Sequence, residues 1–153
     1  MNKQIVIGCD NAAVNLKNDL KAFMEARGYE VENVGCDSKD DPTYYPVIAE
    51  RVCEKIIESG YTKRGVLICG TGLGVCMCAN KFPGIRAGVC HDSFSGERLA
   101  LSNNGNVICF GERVIGVKLA EKILGEWLEL EFKNGSSTPK VEAIKDIEKK
   151  TMI

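Results

Sequence analysis

The sequence predicts a Rossmann-like three-layer α/β/α sandwich around a parallel sheet of about five strands. Short apolar runs alternate with amphipathic stretches along the chain, and strands separated by helices favour βαβ units and a parallel sheet. Residues 65–69 (GVLIC) are apolar throughout, as in a central strand covered on both faces. The 153 residues fit one domain, 1–153, better than two, and no repeat, low-complexity segment or interdomain linker interrupts them.

Residues 4–9 (QIVIGC) form the first strand, rich in β-branched side chains. A helix over 12–27 follows, with Ala13, Leu16, Leu20, Phe23 and Met24 at helical spacing and Gly28 closing it. Residues 29–34 are a second strand, more polar and so nearer a sheet edge, and 36–44 a charged loop with Asp40, Asp41 and Pro42. Pro46 opens the next helix in its first turn, where proline costs least; the helix runs to about Ser59, and Gly60 ends it. After the strand at 65–69, residues 70–74 (GTGLG) make a tight glycine loop leading into a short helix over 75–81. Residues 85–90 are the fourth strand, 93–102 a helix, 106–110 the fifth strand and 115–130 a long helix. A polar linker at 133–137 precedes a last helix over 138–150, which packs on the body or on a partner subunit.

Composition narrows the function. Lys plus Arg is 20 and Asp plus Glu is 21, a net charge of −1. No surplus of cations exists to neutralise nucleic-acid phosphates or to hold an anionic membrane surface. No apolar run reaches the length of a membrane span, and the polar start Met1-Asn2-Lys3-Gln4 does not read as a secretory signal. Of the eight cysteines, Cys9, Cys53, Cys69, Cys76, Cys78, Cys90 and Cys109 sit inside apolar runs. They read as reduced thiols of a cytoplasmic protein, most of them small core hydrophobes. Cys76-x-Cys78 and one histidine, His91, fall short of the ligand spacing of a zinc module, so no metal is expected.

Ligands of such sheets bind outside the carboxyl ends of the strands. That directs attention to Asp10 and Asn11, the Tyr44-Tyr45-Pro46 turn, residues 69–74, His91-Asp92 and Ser102-Asn103. The strongest feature is Cys69-Gly70-Thr71-Gly72-Leu73-Gly74 at the end of the buried strand. Its three glycines let successive N–H groups turn toward one point, making a hole for a carboxylate, a phosphate or a developing oxyanion. A thiol at the mouth of that hole feels the same positive potential. The plainer alternative is that Cys69 only ends the strand and the glycines only make the turn. The spacing is not the dinucleotide fingerprint G-x-G-x-x-G, and it follows the third strand rather than the first. Asp92 lies where a ribose-binding acid could sit, but no second domain exists to hold a substrate beside a nicotinamide. Asp10 is an acceptor for a substrate hydroxyl or, more ordinarily, a cap for the next helix. His91 beside Asp92 is an acid/base or a surface pair, Tyr45 at a helix start can face a ligand, and Arg113 after the fifth strand can reach an anion. One polarised thiol beside an anion hole suits proton transfer next to a carbonyl.

Gly8-Cys9-Asp10, Tyr45-Pro46, Ile68 through Gly74, Ala79-Asn80-Lys81, Gly84-Ile85-Arg86-Ala87, Ser102-Asn103 and Gly111 through Gly116 (GERVIG) come in order over nearly the whole chain. Together they resemble the ribose-5-phosphate isomerase B and galactose-6-phosphate isomerase family. The resemblance implies a small phosphorylated sugar, aldose–ketose isomerisation through an enediol(ate), and no metal or organic cofactor. It implies Cys69 as the base between C1 and C2, with Thr71 and the backbone of Gly70, Gly72 and Gly74 stabilising the enediolate oxygen. Asp10 and Tyr45 then hold sugar hydroxyls. Asn103 reaches the sugar from a partner subunit, in a homodimer or dimer of dimers with shared sites.

The departures from the family pattern bear on the sugar. Ribose-acting members commonly carry histidine where this chain has Asn11, and the family's ring-opening histidine falls at Ser102. Its C-terminal phosphate-binding arginines fall at Ser136 and Lys140, which leaves Arg113 and Lys140, supported by Asn11, for the phosphate. Ribose 5-phosphate is the leading expectation, as the family's commonest substrate. A tetrose 4-phosphate, which needs no ring opening, and galactose 6-phosphate are alternatives. Outside the class stands a noncatalytic phosphosugar- or nucleotide-binding module, against which the presence of both Cys69 and Thr71 speaks.

Overall fold

The alternation in the sequence becomes β1 (Gln4–Cys9), α1 (Val14–Ala26), β2 (Glu30–Asn33), α2 (Tyr45–Glu58), β3 (Arg64–Cys69), α3 (Leu73–Ala79), β4 (Ala87–Val89), α4 (Ser93–Leu101), β5 (Val107–Gly111), α5 (Val117–Glu129) and α6 (Thr138–Thr151). The computed structural model describes residues 1–152. All neighbouring strands pair in parallel, in the order β2-β1-β3-β5-β4. The predicted fold class holds. β3 lies at the centre, with Val66, Leu67 and Ile68 fully buried, and the polar β2 takes an edge with half its residues exposed. The chain leaves β3 for the far edge, forms β4 there, and returns to insert β5 between them.

Helices α2 and α3 pack on one face of the sheet; α1 and α5 pack together on the other, with α4 against α5. Each turns an apolar stripe inward. Ile48, Ala49, Val52, Cys53 and Ile56 are the buried residues of α2, and Ala120, Ile123, Leu124, Trp127 and Leu128 line the inner side of α5. Helix α6 touches the body through buried Val141 and through Glu148, whose carboxylate accepts the Gly84 N–H at 2.9 Å, while Ile144 and Ile147 stay exposed.

Element ends depart from the sequence expectation where side chains compete for backbone groups. The fourth strand spans three residues because Asn80 accepts the Ala87 N–H at 2.8 Å and donates to its carbonyl at 3.0 Å, and Asn106 takes the Arg86 N–H at 2.8 Å. Asp10 Oδ1 accepts the Ala12 N–H at 3.1 Å in a turn ahead of α1, which delays that helix to Val14. Helix α3 starts directly after Gly72, whose φ of +81° only glycine adopts freely. Gly74 therefore lies in the first turn of that helix and not in the loop.

Among the described residues no helix is long and apolar enough to cross a membrane, and no group of three or more His, Cys, Asp or Glu side chains could hold a metal. The eight cysteines are free. Burial pushes the thiols of Cys9, Cys53 and Cys90 up to about 12, which makes them packing groups.

Candidate active site

Strand β3 delivers Cys69 to the carboxyl edge of the sheet, in register with Gly111 of β5. The thiol is 5% exposed. The chain then turns back over it, so that the Gly72 N–H donates to Cys69 Sγ at 3.2 Å and the Leu73 N–H to Thr71 Oγ1 at 3.2 Å. The loop lies flat on the end of β5. A Cβ at Gly111 would stand 2.5 Å from the Thr71 carbonyl carbon, and one at Gly72 would stand 3.0 Å from that of Phe110. The backbone after β5 closes the other side. The Glu112 N–H donates to the Cys69 carbonyl and the Arg113 N–H to that of Gly70, each at 3.0 Å. The Arg113 guanidinium lies over Gly70, 3.3 Å from where its Cβ would be. A thiol, a turn of backbone donors and a cation thus share one end of β3.

Neighbouring elements complete the rim. Tyr45, first residue of α2, lays its ring on Gly74, filling the space a Cβ would need. The Asp10 N–H donates to the Ile68 carbonyl at 3.3 Å, which sets this carboxylate one strand from Cys69. Asp10 is not the side-chain cap of α1, since Ala13 holds that position. Asn11 donates to the Asp41 carbonyl at 3.0 Å, tying the rim to the loop after β2. His91 Nε2 accepts the Gly111 N–H at 2.9 Å, so the ring is neutral with its proton on Nδ1. Burial pushes its pKa below 6.5, against the opposing pull of Asp92. Asp92 itself caps α4, accepting from the Ser95 N–H and hydroxyl at 2.7 Å.

Three expected site residues stand elsewhere in the chain. Ser102 and Asn103 end α4, their N–H groups on the Arg98 carbonyl. That helix starts at the carboxyl edge and runs back toward the start of β5, so both residues lie at the amino edge of the sheet and not outside its carboxyl ends. Lys140 is exposed in the first turn of α6, a helix that attaches at Gly84, ahead of β4. The single chain therefore brings together Asp10, Asn11, Tyr45, Cys69, Gly70, Thr71, Gly72, Gly74, His91 and Arg113, and leaves Ser102, Asn103 and Lys140 apart.

Two supporting residues escaped the sequence reading. Glu112 Oε1 accepts the Leu16 N–H at 2.6 Å, a first-turn donor of α1 that has no partner within its own helix; 96 residues separate them, and no local pattern announces the contact. Lys17 is fully buried with Nζ on Asp37, and its hydrogen bond, with that of Asn33, holds the Asp37 carboxyl below the usual range. Here a signal existed, because Lys17 falls on the same face of α1 as Ala13, Leu20 and Met24.

Residues 5–144 match the family described as Ribose/Galactose Isomerase. The chain is 45% identical over 140 residues to the D-erythrulose-4-phosphate isomerase of Pectobacterium atrosepticum, covering 92% of this chain and 91% of that one. It is 50% identical over 134 residues to D-erythrulose-4-phosphate isomerase 2 of Mycolicibacterium smegmatis, covering 86% and 88%. The solved structure of Clostridium thermocellum ribose-5-phosphate isomerase B superposes with a TM-score of 0.91 at 40% identity, over 96% of this chain and 98% of that chain. The match over residues 5–144 and these identities along nearly the whole length show that the chain belongs to the ribose/galactose isomerase family.

Proposed function

We propose that this isomerase interconverts a four-carbon ketose phosphate and its aldose, D-erythrulose 4-phosphate and D-erythrose 4-phosphate. The observation that carries the choice of sugar is the state of His91. Ribose 5-phosphate closes a furanose through its C4 hydroxyl, and opening that ring calls for a proton donor and acceptor near neutral pH. His91 is the sole histidine, and its Nε2 is occupied by the Gly111 N–H. Ser102 offers only a hydroxyl. In a tetrose 4-phosphate the C4 oxygen carries the phosphate, so no furanose forms and no ring-opening imidazole is needed. The two relatives named for this substrate support the same choice. The four-carbon sugar thus moves ahead of ribose 5-phosphate, the leading expectation from sequence.

In this reading the Cys69 thiolate takes a proton from C1 of the ketose and returns it to C2, while the hydroxyl proton moves between the two oxygens. Charge develops on oxygen, where the Thr71 hydroxyl and the loop N–H groups not already turned to Cys69 Sγ or Thr71 Oγ1 serve as donors. Only protons change place, so the reaction calls for no electron acceptor. Asp10 and Tyr45 hold the sugar hydroxyls, and Arg113 with Asn11 holds the phosphate. Asn103 and Lys140 serve the site of a partner subunit in a homodimer or a dimer of dimers. Exposed Leu73 and Met77 on α3, beside the loop, fit a partner surface there. The free and mostly buried thiols fit a reducing cytoplasm.

Comparison of kcat/KM for the two sugars tests the choice. D-erythrulose 4-phosphate is the better substrate, and a clear preference for ribose 5-phosphate overturns the proposal, leaving Asp10 as the candidate ring-opening group. Exchange of a substrate C–H proton with deuterated solvent separates catalysis from mere binding. Arg113→Ala raises KM by about 10–100-fold with little change in kcat. A hydrogen bond to a charged group contributes roughly 1.5–3 kcal/mol, and the phosphate is bound alike in ground and transition states.

A further inference from the structure

Strand β4 stops at Val89, and the last backbone bond it gives β5 runs from the Cys90 N–H to the Cys109 carbonyl at 3.2 Å. Two residues on, the Gly111 N–H is met instead by the His91 side chain. Gly111 is no ordinary strand end. It is the register partner of Cys69, and the Thr71 backbone occupies the space where its Cβ would be. Its carbonyl accepts the N–H groups of Val114 and Ile115, each at 3.0 Å, which shapes the turn carrying Glu112 and Arg113 onto the Cys69 and Gly70 carbonyls. The peptide that His91 holds therefore abuts the thiol strand, the donor loop and the Arg113 turn at once.

We infer that His91 is a positioning residue: in its neutral form it fixes the Gly111 peptide and, through it, the 70–72 loop over Cys69, and its protonation releases that peptide and sets the acid limb of activity. The inference rests on the reading of Cys69 and its loop as the reacting site. Protonated Nε2 has no lone pair for an N–H donor. The groups around the ring are few. Cys90 and Asp92 flank it in sequence, and the Cys90 thiol is pushed up to about 12 by burial and so is uncharged. From the turn after β5 come Glu112, engaged by the Leu16 N–H, and Arg113, lying over Gly70. Beyond Gly111 lie Cys69, its register partner on β3, and the Thr71 backbone. Burial disfavours the imidazolium and Asp92 favours it, with burial the larger. The sign follows. Below 6.5 the unfolded chain takes the proton before the folded one does, so the native arrangement is whole above that pH and is lost as pH falls through the folded-state value.

One histidine in the chain makes the test direct. In NMR spectra of the full-length protein without substrate, the imidazole signal and the Gly111 amide shift titrate together, with a midpoint below the ordinary histidine value. A Gly111 amide that ignores the imidazole titration overturns the inference. In kinetics with D-erythrulose 4-phosphate and ribose 5-phosphate, His91→Leu lowers kcat by about 10²-fold, the scale of an ångström-level misplacement, and leaves KM near the parent value. His91→Gln carries an amide oxygen that can take the Gly111 N–H but does not titrate. It restores most of the lost kcat and flattens the acid limb of the kcat profile. Full kcat in His91→Leu, or a loss in His91→Gln as deep as in His91→Leu, overturns the positioning role. A parent enzyme that turns over neither sugar counts against the substrate proposal alone. The amide titration still decides the role of His91, as it does if His91→Leu fails to fold.

Discussion

Cys69→Ala loses about 10²–10⁴-fold in kcat, the usual cost of removing a general base, and still binds substrate. The sugar and phosphate contacts proposed for Asp10, Tyr45 and Arg113 stay in place, and removing a nearly buried thiol leaves a cavity of one atom. Cys69→Ser is nearly as poor, because an alcohol is a far weaker acid than a thiol and gives little anion at neutral pH. Substitution is a cleaner probe here than alkylation. Half-buried Cys76 on α3 is held down to about 7 by a hydrogen bond with Cys109, against the upward push of its burial, so a thiol reagent reacts there too. Steady-state kinetics and product-inhibition binding on Cys69→Ala check the split, and near-parental kcat removes Cys69 from the role of base.

Gly111→Ala is the second large effect, and it arises without touching any reacting group. The new Cβ would stand 2.5 Å from the Thr71 carbonyl carbon and 2.7 Å from its Cα. Those are backbone atoms, so no rotamer relieves the clash, and either the donor loop or the end of β5 must move. Overpacking of this kind costs about 1–3 kcal/mol, read as a fall of several degrees in Tm. Displacement of the loop from Cys69 lowers kcat by about 10²-fold. Gly135→Ala, at a site with open space around it, is the control that leaves both quantities unchanged. A Gly111→Ala protein with parental Tm and kcat contradicts the close packing of loop on strand.

Local sequence signals reached far in this chain. The unbroken apolar run of β3 places it centrally, the polarity of β2 places it at an edge, and Gly70 and Gly72 mark the turn over the thiol. Each is a property of a few adjacent residues. What stayed illegible depends on distance along the chain. Nothing in residues 85–111 says that β5 goes inside β4. Ser102 and Asn103 end a helix that begins at the carboxyl edge, so the parallel connection carries them to the amino edge, away from Cys69. For His91 the sequence offers an acid/base or a surface pair and not its actual use, because its partner is a backbone N–H that no residue type advertises. Gly74 belongs to the glycine loop by sequence alone, whereas in the fold it admits the Tyr45 ring from a helix that precedes it in the chain.

The strand order also bears on how the protein is made. A ribosome releases β4 before β5, yet in the finished sheet β4 touches only β5. One edge of the apolar β3 therefore waits uncovered while some forty residues, from Cys69 to Gly111, are synthesised. An unpaired strand edge of that kind is a template for wrong partners, and pairings distant in sequence form slowly. If β4 docks on β3 in the interval, it must leave again before β5 can enter. The arrangement around Cys69 is consequently among the last features to mature. A nascent chain halted after α4 carries its thiol and its glycine turn, but has neither Gly111 beneath the turn nor Glu112 on α1. Such a chain displays an unpaired strand edge and lacks part of the site, which makes the arrival of β5 the step that both covers β3 and completes the surroundings of Cys69.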